Sequence, residues 1–253
     1  GEDFLTIGSA LKLARNEIKG KLTPETISRV RANRDVVQNI VRKQKVVYGI
    51  NTGFGPLCTT LIGKEDTQKL QYNLLMSHSV GVGNPIDREI AKLMLILKLH
   101  ALCKGYSGIA VETVEHILWH IENDVIPLVP EQGSVGASGD LAPLSHLFLP
   151  LIGMGKVWYK DEQMSAGDVL KKLDMKPVEL GPKEGLALIN GTQFMAAHAV
   201  ILLEKFQNCL DHADIIAAMN LEAMMGSVKP FDEELHSLRP YAGSVYVASR
   251  MRS

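Results

Sequence analysis

The chain has 253 residues, 46% of them hydrophobic and 22% charged, with a formal net charge of −1 at pH 7. This length holds one large or two small domains, and the composition is that of a soluble globular protein. A near-neutral balance offers no basic field for nucleic acid or another polyanion. Cys58, Cys103 and Cys209 stand far apart in no CxxC pattern, which suits a reducing compartment and gives neither a disulfide framework nor a zinc site. The N-terminal residues lack the basic and apolar regions of a signal peptide, and no segment is expected to be long and apolar enough to span a bilayer. A cytoplasmic protein without membrane or nucleic-acid partners is expected.

In chain order, Thr23-Pro24-Glu25 reads as an N-cap with proline in the first turn, opening a helix toward Lys45. Val46-Val47-Tyr48 is a short strand candidate before the glycine-rich Gly49-Ile-Asn-Thr-Gly-Phe-Gly55. A helix from Lys64 to Ser79 ends at Gly81 and Gly83, and the apolar 87–104 region fits a helix buried on most sides. Val114, Ile117, Leu118 and Ile121 form one helical stripe. His116 and His120 have the spacing of a metal pair, but they fall opposite that stripe and lack the glutamate of HExxH. They read as solvated surface histidines, with a metal-dependent hydrolase as the minor alternative.

Asp140 can cap a helix carrying Pro143 in its first turn, and Pro150 and Gly153 should kink or end it. Residues 156–164 suggest a hairpin around Lys160-Asp161. From Glu184 to Gly226 there is no proline, and the pattern reads as one long bundle helix. The expected fold is mainly α: an N-terminal globular helical region with short strands (1–183) leads into the start of a long-helix bundle (184–253). So apolar a helix needs partners on several sides, which points to a missing half, an oligomer, or both.

The chemistry concentrates at Gly133-Ser-Val-Gly-Ala-Ser-Gly-Asp140. Glycine has no Cβ, so the chain can fold back and bring the Gly139 nitrogen onto the Ala137 carbonyl carbon. Closure with loss of two waters leaves a dehydrated serine in a five-membered imidazolone, an electrophile made from backbone. The plain alternative is a glycine-rich turn before a helix. Three further features stand beside it: Tyr48 at a glycine loop, a base if its pKa falls from about 10; Ser77-His78 at a helix end; and Asn190-Gly191 inside an apolar segment, a lapse in helix preference.

Tyr48-Gly-Ile-Asn-Thr-Gly-Phe-Gly55, Ser77-His-Ser-Val-Gly-Val-Gly83, Gly133 to Pro143 and Gly185-Leu-Ala-Leu-Ile-Asn-Gly-Thr-Gln193 together resemble the N-terminal motifs of the aromatic amino-acid ammonia-lyases, in order and spacing. The resemblance implies that Ala137, Ser138 and Gly139 cyclise autocatalytically to 4-methylideneimidazol-5-one (MIO), with no metal required. It also implies that Tyr48 takes the substrate β-proton, that Asn190 orients the ring, and that peptide dipoles at Gly139 and Asp140 stabilise charge on the ring oxygen. Ser77-His78 matches the substrate-facing pair of family members that convert L-histidine to urocanate and ammonia; a tyrosine lyase or an MIO-dependent aminomutase is the alternative. A non-catalytic helical assembly module is the alternative from another class. Family members are about twice this length and form tetramers whose sites draw on three subunits. Their second half carries a further tyrosine, the arginine that grips the carboxylate and an acidic residue near the amine. The resemblance therefore implies an N-terminal half, homo-oligomeric in the complete enzyme and inactive by itself.

Overall fold

The structure, a computed structural model, describes residues 4–52 and 64–253. Cys58 and the end of the first glycine motif, Gly53-Phe54-Gly55, lie outside the described residues. The described residues form two compact units, the first ending at His198 and the second running from Ala199 to Ser253.

The first unit opens with α1 (Ile7–Ala14), capped by Thr6 and Ser9, and α2 (Pro24–Arg42), where the Thr23 hydroxyl accepts from the Thr26 amide. After α3 (Lys64–His78) come β1 (Val82–Pro85), α4 (Arg88–Leu102), α5 (Val111–Glu122), β2 (Ile126–Pro127) and β3 (Pro130–Gln132). Next are α6 (Leu141–Phe148), the 3-10 turn Leu149–Ile152 that Pro150 opens and Gly153 closes, β4 (Lys156–Tyr159), β5 (Glu162–Ser165) and α7 (Ala166–Lys172). α8 (Glu184–Ile189) and the start of α9 (Gln193–Ala223) end the unit.

The core sits where α4, α5 and α6 meet: Leu93, Met94, Ile117, Leu144, Leu147 and Phe148 are essentially inaccessible. Each such side chain contributes about 1.5–3 kcal/mol of apolar burial. β1 pairs antiparallel with β3, and β2-β4-β5 form a small antiparallel sheet. The β4–β5 hairpin turns at Lys160-Asp161, both at positive φ (49° and 64°), as a two-residue primed turn requires.

Several expectations are corrected. Residues 46–48 form no strand: the main chain turns here, with the Val47 amide bonded to Asn51 Oδ1 at 3.0 Å. The three residues are β-branched or aromatic, but the local Asx bond takes the backbone instead. The long helix is broken, because Asn190, extended at φ −86° and ψ 114°, ends α8 before α9 starts at Gln193. The 184–223 stretch is, by length and composition, long and apolar enough to cross a membrane (mean hydropathy 1.6), contrary to the sequence expectation; a bundle helix satisfies the same criterion. Asp140 stands at the N-cap of α6 but makes no side-chain cap there.

His116 and His120 are buried, at 5% and 1% exposure, because α5 is covered on more than its apolar stripe. His116 Nε2 meets the Lys176 carbonyl at 3.0 Å and His120 Nδ1 the Val125 carbonyl at 2.9 Å, so each of these nitrogens is the N–H donor. Desolvation lowers the His116 pKa and pushes that of His120 down to about 4. Among the described residues, no group of three or more His, Cys, Asp or Glu is placed to hold a metal.

In the second unit, helix α9 continues from Ala199; the 3-10 turn Lys229–Phe231, α10 (Glu233–Ser237) and α11 (Ala242–Arg252) follow. Arg250 pairs with Asp211 and Asp214 at 3.0 and 2.7 Å, while Leu202, Phe206, Leu210, Ile215 and Met219 are exposed along α9.

His120 makes the fold acid-labile in a defined window. Its folded pKa of about 4 lies below the free value of 6.5, so the unfolded chain takes up the proton first. The stabilisation is complete above pH 6.5 and is lost as pH falls toward 4, an effect on the order of 3 kcal/mol. Urea midpoints measured across this range should fall more steeply for the wild type than for His120→Gln; parallel profiles would contradict the assignment.

Candidate active site

Two loops that carry motifs are joined by the β1–β3 pair. Its register sets Val82 against Gln132, so Gly81 lies beside Gly133, and a Cβ at Gly133 would stand 3.0 Å from the Gly81 Cα. The Gly81 amide donates to His146 Nε2 at 3.0 Å, and burial lowers the His146 pKa, favouring the neutral acceptor form that this bond needs. The strand pair thus sets the chain that follows Ser77-His78 against the start of the Gly133–Asp140 loop.

The far end of that loop is fixed by the Asn190 motif. Gly139 has φ +101°, and a Cβ there would overlap the Gly191 carbonyl. The Asp140 amide donates to that same Gly191 oxygen at 2.7 Å. The fully buried Asp140 carboxylate accepts from Ser134 Oγ at 2.7 Å and from the Met195 amide at 3.1 Å. The carboxylate therefore serves the first turn of α9, not its own helix, and together with the amide ties the loop to Gly191 within the α8–α9 break and to Met195 beyond it.

The position of α8 is set by buried polar contacts. The Glu184 carboxylate, 1% exposed, accepts from the Ala110 amide at 3.0 Å, Thr113 Oγ1 at 2.7 Å and the Gly181 amide at 2.8 Å, and pairs with Arg34 at 3.3 Å. The Gly185 amide donates to Gln71 Oε1 on α3 at 2.9 Å. The Tyr48 turn rests on the same helix: Gly49, at φ +75°, faces Leu186, whose Cδ2 would lie 2.6 Å from an added Cβ. Through these backbones Tyr48, Ser77-His78, Ala137-Ser138-Gly139 and Asn190 belong to one connected assembly.

Their side chains lie open in the single chain. Tyr48 is 61% exposed; Ser77, Ala137, Ser138 and Asn190 are exposed, and His78 is half-buried. His78 Nδ1 is 2.9 Å from the Leu74 carbonyl, which can only accept, so Nδ1 carries the hydrogen and Nε2 of the neutral ring is an acceptor. Ser138 itself sits at φ +61°, costing roughly 1–2 kcal/mol for a residue with a Cβ. The tripeptide is thus held in a reversed turn, with no space for a side chain at Gly139. Residues so placed fit a ring closed between Ala137 and Gly139. One expectation changes: the Asp140 amide is already bound to Gly191, so it is not free to face a ring oxygen.

Lys98 escaped the sequence reading. It is 3% exposed on α4, and its Nζ donates to the Asn190 carbonyl at 2.7 Å. Desolvation lowers its pKa to about 7. A lysine within the apolar run Leu93 to Leu102 was the available signal.

A mainly helical chain in which the Asn190-Gly191 motif closes on an Ala-Ser-Gly turn has the scaffold of an amino-acid ammonia-lyase. The chain belongs to the aromatic amino acid lyase family, whose profile matches residues 5–253. It is 45% identical over 250 residues to a histidine ammonia-lyase of Myxococcus xanthus, an alignment covering 99% of this chain and 49% of the relative. The crystal structure of histidine ammonia-lyase from Trypanosoma cruzi superposes with a TM-score of 0.91 at 39% identity, covering 98% of this chain and 49% of that one. That of tyrosine aminomutase from Streptomyces globisporus gives 0.91 at 32% identity, covering 98% and 47%. The chain spans about half the length of the M. xanthus relative.

Two of the positive-φ glycines of the loop, Gly136 and Gly139, separate strain from contact. Gly136 (φ +67°) has open space around a Cβ, whereas Gly139 has the Gly191 carbonyl in its way. Gly136→Ala should cost about 1–2 kcal/mol and Gly139→Ala about 1–3 kcal/mol more, read from urea unfolding. Equal losses would contradict the role of Gly191 as a wall.

Proposed function

We propose that this chain is the electrophile-bearing part of a histidine ammonia-lyase, which eliminates ammonia from L-histidine to give urocanate. The observation that carries the reading is the junction at Gly139: the Asp140 amide on the Gly191 carbonyl at 2.7 Å, with no room for a Cβ between the two motifs. Ala137, Ser138 and Gly139 supply MIO from their own backbone. When formed, that group provides an electrophilic methylidene that turns the substrate amine into a better leaving group.

The rest of the work falls to ordinary side chains. Tyr48 removes the β-proton, which is barely acidic and needs a positioned base. Asn190 hydrogen-bonds and orients the ring. His78 Nε2, an acceptor in the neutral ring, takes an N–H from the substrate imidazole, with Ser77 beside it. The Ser-His pair and the histidine ammonia-lyase relatives favour histidine as substrate. The fold likeness to tyrosine aminomutase keeps an MIO-dependent aminomutase, or a tyrosine lyase, as the second reading.

The exposure of Tyr48, Ser138 and Asn190 favours a homo-oligomer, a tetramer by family resemblance, whose other subunits cover the site. The exposed apolar side chains of α9 favour the same assembly. We place the protein in the cytoplasm, acting on a small amino acid; its buried Cys103 is a free thiol.

By the resemblance, the carboxylate-gripping arginine belongs to the family's second half. These 253 residues alone should therefore give no urocanate, and the chain completed by a family C-terminal half should give it. In the completed protein, Ser138→Ala should reduce turnover by roughly a thousand-fold or more, and Tyr48→Phe by about 10²–10⁴-fold. Ultraviolet assays with L-histidine and L-tyrosine side by side check this. Faster turnover of tyrosine would contradict the substrate, and unchanged activity in Ser138→Ala would contradict the electrophile.

A further inference from the structure

Helix α4 buries two lysines, and they are treated differently. Lys92 Nζ bonds the Asp124 carboxylate and Asn16 Oδ1, both at 2.8 Å. Lys98 has no carboxylate partner among the described residues; its Nζ meets only the Asn190 carbonyl, at 2.7 Å. That nitrogen also lies within 3.1 Å of where a Cβ on Gly191 would stand. Burying an amine without a counter-charge is costly, so packing alone gives no reason for lysine at this point.

What it touches supplies the reason. The Asn190 carbonyl and the Gly191 carbonyl are consecutive, and the second holds the Asp140 amide. We propose that Lys98 is a positioning residue for ring formation: its N–H bond to the Asn190 carbonyl fixes the Asn190-Gly191 peptide, which in turn keeps Gly139 folded back on Ala137. The assignment rests on the reading that Ala137-Ser138-Gly139 cyclises.

In that closure the Gly139 nitrogen bonds to the Ala137 carbonyl carbon, and the carbonyl oxygen leaves as water with the Gly139 and Ser138 amide protons, leaving a double bond between the Ala137 carbon and the Ser138 nitrogen. Ser138 then loses its Cα proton and its hydroxyl as a second water, leaving a carbon–carbon double bond. No oxidant or co-reactant is required. The difficult part is the approach of two main-chain atoms, which a rigid wall behind Gly139 favours by restricting the turn to its reactive shape. Lys98 touches none of the reacting atoms and acts through Asn190 and Gly191.

The test follows the loss of two water molecules over time by intact-mass spectrometry in freshly produced full chain, as wild type, Lys98→Arg and Lys98→Met, with urea unfolding alongside. The wild type and Lys98→Arg, which retains a donor, should both lose the waters. Lys98→Met should unfold cooperatively yet lose them roughly ten-fold more slowly. Equal rates in Lys98→Met and wild type overturn the role, as does a folded Lys98→Arg no faster than Lys98→Met. If Lys98→Met does not fold, Lys98→Leu, which also lacks a donor, is judged by the same comparison with wild type. A wild type that keeps both waters overturns the ring reading and this assignment with it. A cyclising wild type matched by the methionine variant overturns only the role of Lys98.

Discussion

The Asp140 amide bonded to the Gly191 carbonyl at 2.7 Å is the contact on which the proposed site depends. It joins two segments about fifty residues apart through main-chain atoms. Gly139 has no Cβ to hold them off, and Gly191 presents bare backbone. The Asp140 carboxylate doubles the connection by accepting from the Met195 amide across the helix break. A substitution in either segment is therefore felt in the other, although neither is regular secondary structure at that point.

Everything around this junction holds one of its two sides. The Glu184 carboxylate fixes α8 through partners on α2, α5 and the preceding loop, and Gln71 fixes it from α3. On the other side, the β1–β3 pair and the bond from Gly81 to His146 hold the start of the Gly133–Asp140 loop. The chemistry proposed for Ser138 needs main-chain atoms brought together, and main-chain position is what these contacts control. The side chains proposed for the chemistry, by contrast, are exposed in the single chain apart from the half-buried His78.

Much of this was legible in the residues, where a local rule decided the outcome. Thr23-Pro24 marked the start of α2, Lys160-Asp161 the hairpin turn, and Asn190-Gly191 a lapse in a helical run that proved to be a break. The motifs also led to the family, because their order and spacing carry information that no single glycine turn does. Misreadings arose where tertiary contact overrode local pattern. Val46-Val47-Tyr48 had strand-forming residues, yet a local bond from the Val47 amide to Asn51 Oδ1 took the backbone. His116 and His120 lay off the apolar stripe of α5, yet the helix is covered there too, and carbonyls of Lys176 and Val125 take their N–H groups. Asp140 looked like a cap for its own helix, but its carboxylate reaches Met195 in α9, fifty-five residues later. Lys98 stood out only as a lysine in an apolar run, because its partner is a main-chain oxygen ninety-two positions away.

The central claim is that this junction shapes Ala137-Ser138-Gly139 for conversion to a ring. The most direct test is a high-resolution electron-density map of residues 133–143 from the purified protein. A bond between the Gly139 nitrogen and the Ala137 carbonyl carbon, with no Ser138 hydroxyl and planar geometry at its α-carbon, is the expected result. An open Ala-Ser-Gly chain that retains the hydroxyl, with the Asp140–Gly191 bond intact, would contradict it.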